Sequence, residues 1–184
     1  MNAVLRIFSI LLLSFFASFQ SFAKPMPSAF SELIAKSDLI AIVDVFEISA
    51  RGKSMPASAS ARVIERISGA AEKDTITLHW EGIAIYELGQ WVVFLKKEDE
   101  AYRATYGARS FWKIEQAIID NAECCSAFVV LRPPIDSLRI DPSLVSSYPV
   151  YMNDVPEKSR PLMTKGVSIS NLKNYIKNTI KKDK

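Results

Sequence analysis

The run Leu88-Gly89-Gln90-Trp91-Val92-Val93-Phe94-Leu95-Lys96-Lys97 limits the possible folds more than any other stretch of this 184-residue chain. It is the densest β-branched and aromatic segment beyond the N-terminal region, it opens on a glycine, and it closes on charge. That combination reads as a central strand. The charged turn Lys97-Glu98-Asp99-Glu100 then leads into 101–106, where Tyr102, Ala104 and Tyr106 share one face, so the two segments form a hairpin.

A second constraint comes from residues 39–48. Leu39, Ala41, Val43 and Val45 fall on one face, and Ile40, Ile42, Phe46 and Ile48 on the other. A strand apolar on both faces is covered on both, as in a coiled barrel strand or one with a helix packed on its back. Residues 62–67 give another strand, halted at Ser68-Gly69. Residues 75–80 alternate clearly, with Ile76, Leu78 and Trp80 inward and Thr75, Thr77 and His79 outward. Residues 110–116 place Trp112 and Ile114 opposite Phe111, Lys113 and Glu115. A shorter strand over 127–131 is stopped by Pro133-Pro134.

Between and around these strands the composition changes. Gly52, Pro56 and many small residues mark 50–60 as an exposed loop. Residues 135–161 are rich in Pro, Ser and Asp and lack periodicity, which predicts a long ordered loop packed by Leu138, Ile140, Leu144 and Tyr148. Ser28 is placed to cap a short helix carrying Phe30, Leu33 and Ile34. Ser168 or Ser170 caps a C-terminal helix over 168–182, with Ile169, Leu172, Ile176 and Ile180 at helical spacing.

The first 23 residues have a different character. Arg6 ends a short basic region, residues 7–19 are apolar, and Ser21-Phe22-Ala23 supplies small residues for a signal peptidase. The expectation is a signal peptide over 1–23 and a single domain over 24–184, exported to the periplasm or beyond the cell. No stable membrane insertion is expected after cleavage; a retained anchor is the alternative. The chain carries 23 Lys+Arg against 20 Asp+Glu, a balance that points to neither nucleic acid nor an acidic membrane. Lys165, Lys173, Lys177, Lys181 and Lys182 make the last helix basic, but its narrow apolar stripe suits docking on the domain, and lysines near a helix C-terminus complement its dipole.

Few residues offer chemistry. His79 is the one histidine, and its neighbours Thr77 and Glu81 form no nucleophile motif, so it reads as polar surface; a small hydrolase centred on it is an alternative. One histidine and two adjacent cysteines give no tetrahedral metal spacing, and no cofactor is expected. Cys124 and Cys125 allow a vicinal disulfide, a bond to another chain, or an inert pair. The inert pair is preferred, because adjacent Cα atoms sit closer than disulfide geometry favours. The rings of Trp80, Trp91, Trp112, Tyr86, Tyr102, Tyr106 and Phe111 could form a stacking platform, but alternation assigns most of them to the core. Tyr86 and Phe111 are the exceptions, and with Ile83, Ile85 and Arg109 they make the candidate interaction surface.

At this point a resemblance enters. Ser37-Asp38-Leu39-Ile40-Ala41-Ile42-Val43 resembles the first strand of netrin-module and tissue-inhibitor-of-metalloproteinases-like domains. Arg62-Val63-Ile64-Glu65-Arg66-Ile67-Ser68-Gly69 is similar to their second strand, and 88–95 to their "vGe.YLlFL" strand. The likeness covers about 37–116. It implies a mainly β fold, a five- to six-stranded OB-like Greek-key barrel with a short N-terminal helix and a C-terminal amphipathic helix. Family inhibitors chelate protease zinc through an N-terminal cysteine, and no cysteine precedes Cys124. The expected function is therefore a non-enzymatic binding module for a protein partner. Inhibition of an exported protease through the loops 50–60 and 83–88 is an alternative reading.

Overall fold

A computed structural model of the chain describes residues 29–49, 57–81, 84–115, 127–132, 135–150 and 162–182. The expected signal peptide, Ser28, Ile83, Pro133-Pro134 and the Cys124-Cys125 pair lie outside the described residues. Among the described residues, no helix is long and apolar enough to cross a membrane.

Five strands form the barrel: β1 (Leu39–Ser49), β2 (Ala57–Ser68), β3 (Thr75–Trp80), β4 (Gly89–Glu98) and β5 (Ala101–Ala104). Their order is β1-β2-β3-β5-β4, and β4 returns to pair with β1. That closing seam is antiparallel and runs from Leu39 opposite Leu95 to Val45 opposite Gly89. β3 and β5 meet in parallel, with Leu78 opposite Tyr102 and His79 opposite Arg103. The result is a closed, OB-like barrel.

The alternation read from the sequence sorts the side chains as the fold requires. Leu39, Ala41, Val43 and Val45 of β1 fill the interior with Ile76, Leu78 and Trp80 of β3 and Trp91, Val93 and Leu95 of β4. The opposite faces of β1 and β4 are also buried. Ile40, Ile42, Val92 and Phe94 pack under helix α1 (Phe30–Ala35) and helix α2 (Ile169–Lys182), joined by Trp112 and Ile114. Phe30 is the hub of this second layer, 5.7 Å from the Phe94 ring, 4.8 Å from Trp112 and 5.5 Å from Tyr175. Truncating a ring such as Phe94 to alanine in so close-packed a layer costs about 3 to 5 kcal/mol. Ser168, one of the two expected caps of α2, accepts a hydrogen bond from the Asn171 amide. The Lys173 ammonium donates to Glu65 on β2, which pins the helix to the barrel.

The structure departs from the sequence reading in several places. The segment 50–60 is not all loop, because β2 begins at Ala57 and pairs with β1 and β3 on its two sides. Ala57, Ala59 and Ala61 point inward, and such small residues give the Trp80 and Trp91 rings room inside a narrow barrel. Their weak hydrophobicity hid the alternation. On β1, Phe46 does not join the helix-side face. It is the extra residue of a bulge between the Val45–Ala61 and Glu47–Ser60 pairs, it is exposed, and the kink returns Ile48 to the barrel interior.

The barrel has five strands, within the expected five to six, and the sheet continues beyond it. β6 (Phe111–Glu115), β7 (Phe128–Val130), β8 (Ser146–Val150) and β9 (Leu162–Ser168) continue from β4 in the order β6-β7-β9-β8. Part of the expected loop 135–161 is thus strand β8. Its Ser-Ser-Tyr-Pro composition is poor for a strand, but it lies at the sheet edge, where a proline removes no ladder bond. The Tyr148 ring stacks on Phe128, centroids 4.2 Å apart and 8° from parallel. Between those strands lies Gly166, where a Cβ would come within 2.6 Å of the Phe128 ring and 3.1 Å of the Tyr148 ring. The first helix departs in its start: Ala29 is its N-cap and supplies no side-chain bond. Ser110, expected as the first residue of the 110–116 strand, instead ends a 3-10 turn, and its buried hydroxyl accepts from the Tyr106 amide.

Gly69, where the second strand was expected to stop, has φ +79°, and a Cβ there would sit 1.9 Å from the Asp38 carbonyl oxygen. Gly69→Ala should therefore lower the unfolding free energy by at least about 2 kcal/mol, through left-handed strain and a backbone clash. Urea denaturation followed by tryptophan fluorescence reads this directly, and an unchanged midpoint would contradict the close approach.

Candidate functional site

Residues 84–88, the described end of the link from β3 to β4, lie at the barrel mouth and build the most distinctive surface of the described residues. Ala84 and Ile85 turn inward and are buried. Tyr86, Glu87 and Leu88 then turn outward, with Tyr86 60 % and Leu88 55 % exposed. The excursion is tied down from below, since the Trp91 indole donates to the Glu87 carbonyl at 3.3 Å. The Tyr86 ring meets Trp91 edge-on at 5.5 Å and 86°, the preferred geometry for two ring quadrupoles.

Lys113 on β6 sits opposite Trp91 of β4 in the sheet register. Its ammonium donates to the Leu88 carbonyl at 2.8 Å, stands 3.6 Å from a Glu87 carboxylate oxygen, and lies 5.2 Å from the centre of the Trp91 ring. The aliphatic stem covers apolar surface while the charged tip holds the link in place.

These groups enclose a cleft of about 120 Å³. Trp91, Phe111, Val130 and Ile135 give it apolar walls, and all four are buried. Tyr86, Lys113, Glu115 and Arg132 supply its polar lining. Partial burial raises the Tyr86 phenol above its ordinary value, and Glu87 adds to the rise. The Arg132 guanidinium opposes it by favouring the phenolate, while the Glu115 carboxylate again raises it.

Of the residues expected to form an interaction surface, the structure brings Tyr86 and Phe111 together at this cleft. Phe111 is not an exposed ring, however. It forms the floor and meets Trp80 edge-on at 5.6 Å. Ile85 is likewise corrected, because it packs into the barrel interior. Arg109 stands apart from the cleft lining. Its Nε donates to the Ser137 hydroxyl at 2.9 Å, and its carbonyl accepts from the Trp112 indole at 2.7 Å. These bonds make it a structural tie. Leu88 belongs to the loop 83–88 of the alternative inhibitor reading; Lys113, Glu115 and Arg132 were missed, although the period of two in β6 already put Lys113 and Glu115 on the face of Phe111.

His79 is half-buried, and its buried Nδ1 has no hydrogen-bond partner among the described residues. It stands across from Ser58 on β2 and Arg103 on β5. Arg103 is engaged by Glu81 and, at 3.5 Å, by Glu98. Among the described residues, no cluster of three or more His, Cys, Asp or Glu side chains could hold a metal ion.

Comparison with protein-family models, with curated proteins and with solved structures returns no match.

Tyr86 should titrate above the ordinary tyrosine value of 10.0, and Arg132→Ala should move it higher still by removing the favourable charge. The stabilisation that follows from keeping the phenol neutral is present below about pH 10 and is lost as the pH rises through the raised folded value. Ultraviolet difference titration of the protein against its Tyr86→Phe variant isolates this one group. A Tyr86 titrating at or below 10, or falling in the Arg132 variant, would contradict the arrangement described.

Proposed function

We propose that this chain is an exported, non-enzymatic interaction module that holds a protein partner at the barrel-mouth cleft. The observation that carries the reading is the pairing of two large exposed apolar side chains, Tyr86 and Leu88, with a cleft whose apolar walls are ringed by polar groups. Protein interfaces are built this way, with an aromatic anchor and an apolar centre inside a polar rim. Lys113 supports the reading, because its bonds to Leu88 and Glu87 preorganise the link and so lower the entropic cost of docking. The N-terminal pattern of 1–23 supports export, to the periplasm or outside the cell. The OB-like barrel and the strand motifs over 37–116 favour a netrin-module type of scaffold, whose fold leaves function to its surface sites.

Affinity capture and crosslinking from the native compartment, using the full chain, tests the reading. The variant Tyr86→Ala with Leu88→Ser should weaken partner recovery by roughly tenfold or more, the scale of an interface hot spot. His79→Ala should leave recovery unchanged. Loss of binding in the His79 variant alone would move the working surface to the β2–β3–β5 side of the barrel. Recovery that survives the Tyr86/Leu88 change would remove the cleft from the interface.

A further inference from the structure

Resting on the interaction reading above, the size and charge of the cleft identify which part of a partner it takes. We infer that it receives the C-terminal residue of a protein, with an aliphatic side chain against the Trp91 and Phe111 floor and the α-carboxylate on Arg132.

Size limits the occupant first. About 120 Å³ is well short of the roughly 300 to 1,000 Å³ typical of small-molecule pockets. That is room for one side chain, and the buried walls from Trp91, Phe111, Val130 and Ile135 call for an apolar one.

Charge then specifies what must accompany it. The Lys113 ammonium is committed to the Leu88 carbonyl and the Glu87 carboxylate. Arg132 forms no ion pair among the described residues. The exposed Arg132 guanidinium hydrogen-bonds the Tyr86 phenol, and its remaining N–H donors face a carboxylate, the group that their planar geometry fits best. In an extended peptide, adjacent side chains point to opposite faces. An internal acidic residue next to the anchor would therefore point away from Arg132. The α-carboxylate is attached to the same Cα as the anchoring side chain, so both can reach one small cleft.

Glu115, the carboxylate of the lining, serves the same pose as acceptor for the backbone N–H of the docked residue. The exposed Tyr86 and Leu88 beside the cleft favour a peptide over a free amino acid, since they offer apolar surface to the residues that precede the terminus.

Nuclear magnetic resonance titration of the full-length protein, read at the Trp91 indole, tests this with acetyl-Gly-Ser-Ala-Leu as the free acid, the same peptide as its amide, and free leucine. Saturable binding of the acid at least tenfold tighter than the amide or leucine is expected. Arg132→Ala should erase the preference for the acid while leaving the weaker affinity for the amide unchanged, and Arg132→Lys should restore only part of it. The Arg132 carbonyl that accepts from the Ile135 amide at 2.7 Å survives both substitutions, so that backbone tie is retained. Equal affinity for acid and amide, leucine binding as tightly as the peptide, or no change at Trp91 would each overturn the inference. The broader interaction reading is judged separately, by whether partner capture depends on Tyr86 and Leu88.

Discussion

The pairing of β1 with β4 is the contact on which the rest of this molecule depends. It closes the barrel, and it does so between two strands whose side chains are buried on both faces. A one-residue slip of either strand would exchange the two faces. Leu39, Val43, Trp91 and Leu95 would then be driven out of the interior, and Ile40, Val92 and Phe94 out of the helical layer. The seam is thereby specified twice, once by each core. Closure also pairs β1 and β4 with each other, so neither is left as an outer strand, the position at which β proteins are most exposed to unwanted strand pairing.

The cleft follows from that closure. β4 is long enough to serve β1 on one side and both β5 and β6 on the other, with Lys96 opposite Arg103 and Val92 opposite Trp112. Near the start of β4, Trp91 faces the barrel interior while Lys113 of β6 lies beside it. The segment 84–88 meets these two residues on its way into β4, Tyr86 at Trp91 and Leu88 at Lys113. It is fastened there by the indole hydrogen bond and by the lysine, so the exposed Tyr86 is presented from a held backbone. The rigid seam and the outward-facing ring are two ends of one strand arrangement.

Much of this was legible in the sequence because it rests on strong periodicity. The inward set of β3, the two faces of β1 as far as Val45, and the opposed faces of β6 are all recoverable by counting in twos. Other features were hidden because local composition contradicted the tertiary outcome. The Ala-Ser alternation of Ala57 to Ala61 resembles a loop until one knows that tryptophans need the space opposite. The bulge at Phe46 obeys no sequence period. β8 gains its identity from hydrogen bonds to β9, and neither strand carries a strong propensity of its own. At the cleft, Tyr86 and Phe111 could be singled out as aromatics. Arg132 could not, since it joins the site only through the placement of β7 beside β6, a relation between segments distant in sequence.

One consequence of the outer sheet concerns association between copies. Among the described residues, the β6-β7-β9-β8 extension does have a free edge, along β8. Pro149 lies within that strand, opposite Met163 of β9. A proline presents no amide hydrogen to an incoming strand, so a ladder begun along this edge would lack a rung there. The same residue that made β8 hard to recognise as a strand acts as a stop on further sheet growth, and favours a sheet that ends at nine strands among the described residues.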